Sequence, residues 1–150
     1  RGQAEAIARN IFEMSILKVP VISIVIGEGA SGGALAIGVC DKLFCMENTW
    51  FSVISPEGCA SILFRDPSES KKAADAMKVS SEDLLDMGIA DLLIKEPHGG
   101  ANNNYQDAAK SLKIAFLNAL EELSELNAET LINNRIEKYD KMGHWLDSNE

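Results

Sequence analysis

At 150 residues with 46% hydrophobic content, the chain is the size of one globular domain and can bury a core without disulfide or metal staples. Its formal charge of −9 speaks against a nucleic-acid partner, because such binders need clustered Lys and Arg to displace counterions. The three cysteines, Cys40, Cys45 and Cys59, have no Cys-x-x-Cys spacing and lie in apolar runs, so buried, unpaired thiols of a cytosol-like compartment are expected.

Arg1 opens inside a helix-like run, with no initiator Met and no signal peptide before it, as expected of a piece of a longer chain. Gln3 to Leu17 spaces Ala6, Ile7, Phe12, Met14 and Leu17 as a helix does, and Lys18-Val19-Pro20 ends it. Val21 to Ile26 is a continuous apolar, β-branched run, the pattern of a strand buried on both faces. The stretch from Val19 to Cys40 has the length of a membrane span, but Glu28 near its middle would cost about 2.5–3.5 kcal/mol, and Pro20 and the glycines weaken a spanning helix. A strand, a turn and a small-residue helix from Ser31 to about Val39 are expected instead. Lys42 to Glu47 and Trp50 to Ile54 read as two further strands, and the short loop Ser55 to Gly58 (SPEG) opens a helix over CASILF.

Ser68 to Lys78 reads as a surface helix, and Ser80 caps the next short one through an S-x-x-D box, with Gly88 as its stop. Ile89 to Ile94 ends in a last strand, and the breaker-rich segment Lys95 to Asn104 separates this part from the C-terminal third of the chain. Leu112, Phe116, Ala119, Leu123 and Leu126, then Leu131, Ile132, Ile136 and Tyr139 beyond a break at Asn127, form an apolar stripe on a helical hairpin or two helices. Such a stripe can pack on its own domain or dock on a partner subunit.

The segment Gly27 to Gly38, GEGASGGALAIG, holds five glycines in twelve residues and directly follows the first apolar strand. Three chemistries can claim it. Gly27-Glu28-Gly29-Ala30-Ser31-Gly32 fits the G-x-G-x-x-G fingerprint of a Rossmann-type dinucleotide-binding module, with Glu47 twenty positions on for a ribose hydroxyl. Gly29-Ala30-Ser31-Gly32-Gly33 also fits the G-x-S-x-G nucleophile elbow, but only His98 and His144 could serve Ser31 as base, and a small serine capping a helix is the simpler account. Thirdly, successive N–H groups at a helix start can form an oxyanion hole without any side chain, and glycine lets the reacting group come within about 3 Å.

The run GEGASGGALAIGVCDKLFCMENTWFSVISPEGCASIL resembles the heart of the carboxyltransferase alpha subunit of the bacterial and plastid type multi-subunit acetyl-CoA carboxylase, whose members carry GEGGSGGALAIG, ISPEGCA and EPLGGAH. The opening RGQAEAIARNIFEMSILKVPVISIVIG and the closing KMG are similar as well, so the resemblance covers essentially the whole chain and matches the C-terminal half of that subunit. It implies an α/β crotonase fold, a spiral of ββα units, with residues 1–97 in the carboxyltransferase core and 98–150 as a helical extension. In that family the alpha subunit binds carboxybiotin delivered by the biotin carboxyl carrier protein, and a zinc-ribbon-bearing beta subunit binds acetyl-CoA. An alpha2beta2 assembly in a bacterial cytoplasm or a plastid stroma is implied, with no metal held by this chain and malonyl-CoA, the first product of fatty acid synthesis, as the outcome.

The same resemblance implies roles for particular residues. The amides of Gly32 and Gly33 would stabilise the charge that gathers on the ureido oxygen as carboxybiotin gives up CO2, while Gly29, Ala30, Ser31, Ser55, Pro56, Glu57 and Gly58 would wall the pocket. Glu57 can equally be read as a helix-start carboxylate favoured by the dipole. Three positions depart from the family: Ala30 and His98 stand where it carries Gly and Leu, and Asn102 where it carries His. Ala30 is compatible only with a negative φ.

Overall fold

The structure, a computed structural model, describes residues 2–143. Helix α1 (Gln3–Ser15) leads into strand β1 (Ile22–Val25), a short strand β2 (Glu28–Ala30) and helix α2 (Ser31–Gly38). The same path is then repeated by β3 (Lys42–Met46), β4 (Trp50–Ser52) and α3 (Pro56–Leu63). A 3-10 turn (Pro67–Glu69), α4 (Ser70–Met77) and α5 (Ser81–Asp86) lead to β5 (Leu92–Ile94), and α6 (Tyr105–Ser124) and α7 (Ala128–Asp140) complete the chain.

The first two turns of the chain each give one strand to each of two parallel sheets, and β5 extends the larger one. The larger has the order β1-β3-β5, with Ile24 opposite Phe44 and Phe44 opposite Leu92. The smaller pairs β2 with β4, setting Gly29 beside Phe51 and Ala30 beside Ser52. Strand β2 lies inside the glycine-rich stretch, where the sequence suggests only a turn. Its pairing is made by backbone, and the Phe51 ring takes the space a side chain would need: a Cβ on Gly29 would stand 2.9 Å from it.

Central β3 divides the core. Leu43 and Cys45 pack with Val25, Cys40, Leu84 and Ala90 on one side. Phe44 and Met46 pack with Ile94, Ala108 and Ala119 on the other, beneath α6. The continuous apolar pattern thus describes β3, a strand covered on both faces. In β1, however, Ile22, Ser23 and Ile24 are only half-buried, and Val25 alone is fully enclosed. This strand has a neighbour on one side only, so the expected burial on both faces is incomplete.

Two acidic residues recur at equivalent places. Asp41 and Asp91 stand just before β3 and β5, and each carboxylate accepts a backbone N–H from the neighbouring strand: Val21 at 2.7 Å for Asp41 and Leu43 at 2.6 Å for Asp91. Helix α7 locks onto these positions. Arg135 is 1% exposed in its side chain, forms a two-pronged pair with Asp41 at 2.9 and 2.8 Å, and donates to the carbonyls of Met14, Ser15, Leu17 and Val19 at the end of α1. Losing one partner of such a buried pair costs on the order of 3–5 kcal/mol. Lys138 reaches Asp91 at 2.5 Å and the Asp41 carbonyl at 3.2 Å.

SPEG is no loop: Ser55 caps α3, and Pro56 to Gly58 form its first turn. The helix expected over 68–78 is divided between the 3-10 turn and α4, and Lys78 ends α4 in the left-handed region at φ 53°. Ser80 caps α5 by accepting from Asp83 N–H at 3.2 Å, and the Asp83 carboxylate returns to the Ser80 hydroxyl at 2.7 Å. Cys40 and Cys45 are buried and free, and burial pushes both thiols up. Cys59, also free, is only half-buried, because its helix has a solvent face.

Candidate functional site at the start of helix α2

The strand β2 runs straight into α2 with no intervening loop, so the chain must turn sharply at a single residue. Ser31 makes that turn, at φ 54° in the left-handed region that non-glycine residues rarely adopt. Ala30 before it is extended, at φ −140° and ψ 152°, so the methyl group that departs from the family's glycine meets no backbone penalty. Ser31 does not cap the helix: no side chain closes the α2 N-terminus. By contrast, Ser55, Ser80, Asn104 and Asn127 cap α3, α5, α6 and α7. The first-turn N–H groups of a helix have no partner within it, and α2 has no acidic residue in its first turn. Its start is therefore an open, electropositive set of donors.

Gly32 and Gly33 occupy this first turn. Neither has a positive φ, and a Cβ built on either would meet nothing within 4 Å. The fold itself does not require glycine at either position. Gly58 differs, since its Cβ would stand 2.8 Å from Ile54. Ser55 Oγ accepts the Gly58 N–H at 3.2 Å and Pro56 opens α3, so these three residues have local structural work. Glu57 lies exposed in the same first turn, where the helix dipole favours a carboxylate.

The pairing of Ala30 with Ser52 sets α2 and α3 off from the carboxyl ends of neighbouring parallel strands. Ser31, Leu35, Ser52 and Val53 line one wall of an apolar cavity of about 770 Å³, which Met87 and Tyr139 help to close from α5 and α7. Ser55, Pro56, Glu57 and Gly58 are outside that lining.

His98 lies elsewhere, in a separate polar cleft of about 1280 Å³ shared with Glu47, Ser81, Glu96 and Asn102. Ser31 and His98 are not brought together, and His144 lies outside the described residues. The serine-nucleophile reading has no histidine base among the described residues. Glu47 is engaged too: its carboxylate accepts from Glu96 N–H and Lys95 Nζ, both at 3.1 Å, and these bonds hold its ionisation below the usual carboxylate range. Glu96 in turn accepts from Asn48 N–H at 3.0 Å and Ala101 N–H at 2.7 Å, fixing the loop that carries His98 and Asn102. A ribose-binding role for Glu47 finds no support. Among the described residues, no group of three His, Cys, Asp or Glu is placed to hold a metal ion, and no helix is long and apolar enough to cross a membrane.

Sequence reasoning placed Tyr139 only in the apolar stripe, without its hydroxyl contacts to Gly38 and Cys40, and missed Arg135 and the recurring acids. A signal for the acids was present, since DKLFCME at 41–47 and DLLIKE at 91–96 repeat an aspartate before a strand and a glutamate after it. Nothing local marks Arg135, whose partner is 94 positions away.

Repeated strand, short strand and helix units that feed two parallel sheets define a protein of the crotonase fold. The same fold is seen in a Pseudomonas malonate decarboxylase hetero-tetramer in complex with coenzyme A, with a TM-score of 0.73 and 15% identity over 90% of this chain and 53% of that one. It is seen also in transcarboxylase 12S, with a TM-score of 0.63 and 22% identity over 83% of this chain and 24% of that one. The family model described as acetyl co-enzyme A carboxylase carboxyltransferase-like matches residues 1–143, and the chain belongs to that family. Its relatives include the acetyl-coenzyme A carboxylase carboxyl transferase subunit alpha of Chlorobium luteolum, 51% identical over 98% of this chain. The subunit of the same name from Campylobacter curvus is 54% identical over 95% of this chain. The chain spans 44% and 46% of these two relatives, less than half of their length.

Proposed function

We propose that the chain is part of the alpha side of a biotin-dependent acetyl-CoA carboxyltransferase, and that Gly32 and Gly33 are its catalytic groups, acting through backbone N–H. The observation that carries this reading is the open start of α2, where two glycines are required neither by φ nor by packing. Glycine there leaves room for a group from outside the chain.

The donor set fits a carboxybiotin carbonyl: two adjacent amides, no capping side chain, no acidic residue in the first turn, and free space in front of them. Carboxybiotin, delivered by a biotin carboxyl carrier protein, supplies the carboxyl group for transfer and a ureido oxygen that gains charge as that group departs. Gly32 and Gly33 hold that oxygen, and each such donor in a water-poor site is worth about 2.7–4 kcal/mol. Leu35 and Val53 present exposed apolar surface beside the turn, and a partner seated on it would keep water from competing for the donors. Among the described residues, none stands at this point to deprotonate an acetyl thioester, and in this reading acetyl-CoA is presented by a zinc-bearing beta subunit. The working unit is an alpha2beta2 assembly in a bacterial cytoplasm, and its product is malonyl-CoA for fatty acid synthesis. Gly29, Ala30 and Ser31 shape the approach to the donors, while Ser55 to Gly58 open the neighbouring helix α3.

The test is the reverse reaction, carboxyl transfer from malonyl-CoA to a biotin derivative, in the complete alpha–beta assembly. Ser31→Ala is expected to keep most activity, and Gly33→Pro, which removes one of the two donors and distorts the turn as well, to lose about a hundred-fold or more. A folded, assembled Ser31→Ala enzyme without activity, or an unimpaired Gly33→Pro enzyme, overturns the reading.

A further inference from the structure

Helix α2 lacks local closure at both ends. Its N-terminus has no side-chain cap, and at its C-terminus Val39 leaves the helical path at ψ 84° with no backbone N–H returning to close the last turn. In α3, α5, α6 and α7 the residue after the helix makes such a return. For α2 the closure comes from Tyr139, 101 positions on: its hydroxyl donates to the Gly38 carbonyl and accepts from Cys40 N–H at 2.9 Å. Neighbours on α7 hold the next residue, Arg135 through the Asp41 carboxylate and Lys138 through the Asp41 carbonyl.

We infer that Tyr139 is a positioning residue for carboxyl transfer: by fixing the C-terminal end of α2 it sets the aim of the Gly32 and Gly33 N–H groups at the other end. This inference rests on the oxyanion role proposed above for those two glycines. Geometry supplies the reason. A helix of eight residues is only about 12 Å long, so a small shift at Gly38 is passed to the first turn as a change of tilt. Hydrogen-bond donors of this kind act only within a narrow range of distance and angle.

Tyr139→Phe keeps the ring and removes only the hydroxyl. In the complete alpha–beta assembly, per folded enzyme, this variant is expected to lower kcat of the reverse reaction by roughly ten- to a hundred-fold while KM for malonyl-CoA stays within about two-fold. Leu131→Val, a buried change on the same helix far from the hydroxyl contact, is expected to lower Tm without changing kcat. Wild-type kcat in Tyr139→Phe beside an inactive Gly33→Pro overturns the positioning role alone. Full activity in both overturns the oxyanion reading beneath it, and a kcat loss shared by Leu131→Val reduces Tyr139 to a structural part and likewise overturns the inference.

Discussion

Gly29 cannot carry a side chain because the Phe51 ring fills the space, whereas Gly32 and Gly33, three and four residues on, face open space. The same word in the sequence therefore meets two different demands, one from the fold and one from outside it. The alanine between them is informative in its own right. Ala30 is extended, so nothing in its conformation calls for the family's glycine, and glycine in a strand is less favourable than alanine by about 0.5–1 kcal/mol. Ala30→Gly is accordingly expected to lower unfolding stability by that amount in a urea titration. A gain in stability would mean that the turn into α2 is strained at Ala30 rather than at Ser31. The sign of φ at Ala30 was legible from the sequence as a condition for tolerating the methyl group. The left-handed Ser31 was not, because serine gives no local warning of the sharp turn that a strand joined directly to a helix imposes.

At the scale of elements, the larger secondary structures were legible because their apolar periods are long: α1, α6 and the β3 run stand close to where the pattern sets them. Strand β2 was hidden since three residues carry no period, and its pairing with β4 depends on a neighbour 22 positions away. The burial of β1 was over-read because an apolar run records what a strand can bury, whereas its place at the sheet edge decides what this chain buries. Corners between the strands are held by carboxylates, which makes their strength depend on pH. The Glu96 backbone N–H, and after it Lys95, lowers the ionisation of Glu47 below the ordinary value near 4.5. A depressed carboxylate stabilises the fold above its ordinary value, and that contribution is lost as pH falls through the folded value. Glu47→Gln is expected to be less stable than the unaltered chain at pH 7 and equal to it once the pH lies well below 4. Urea midpoints measured at both ends of that range check this, and a difference that persists in acid would assign the effect to packing instead of charge.

For the molecule as a whole, the apolar stripe on the C-terminal helices posed a choice between packing and docking. Ala108, Ala119, Leu123 and Leu131 are buried in this chain, and Arg135, Lys138 and Tyr139 tie α7 to the ends of α1, α2 and the strands. Phe116 and Ile136 keep substantial exposure, 37% and 55%, so only part of the stripe remains for another surface. The catalytic proposal shares this logic of what the chain uses for itself and what it leaves open. Its central claim is that Gly33 is glycine for the sake of a bound group and not of the fold, and Gly33→Ala separates these two. The variant keeps its N–H, fits into open space and suits a helix better than glycine. Thermal unfolding and reverse carboxyl transfer, measured together on the complete alpha–beta assembly, should show stability unchanged or raised by up to about 1 kcal/mol and activity lowered by roughly a hundred-fold or more. A Gly33→Ala enzyme with full activity, or one whose activity falls only as far as its stability does, would contradict the account.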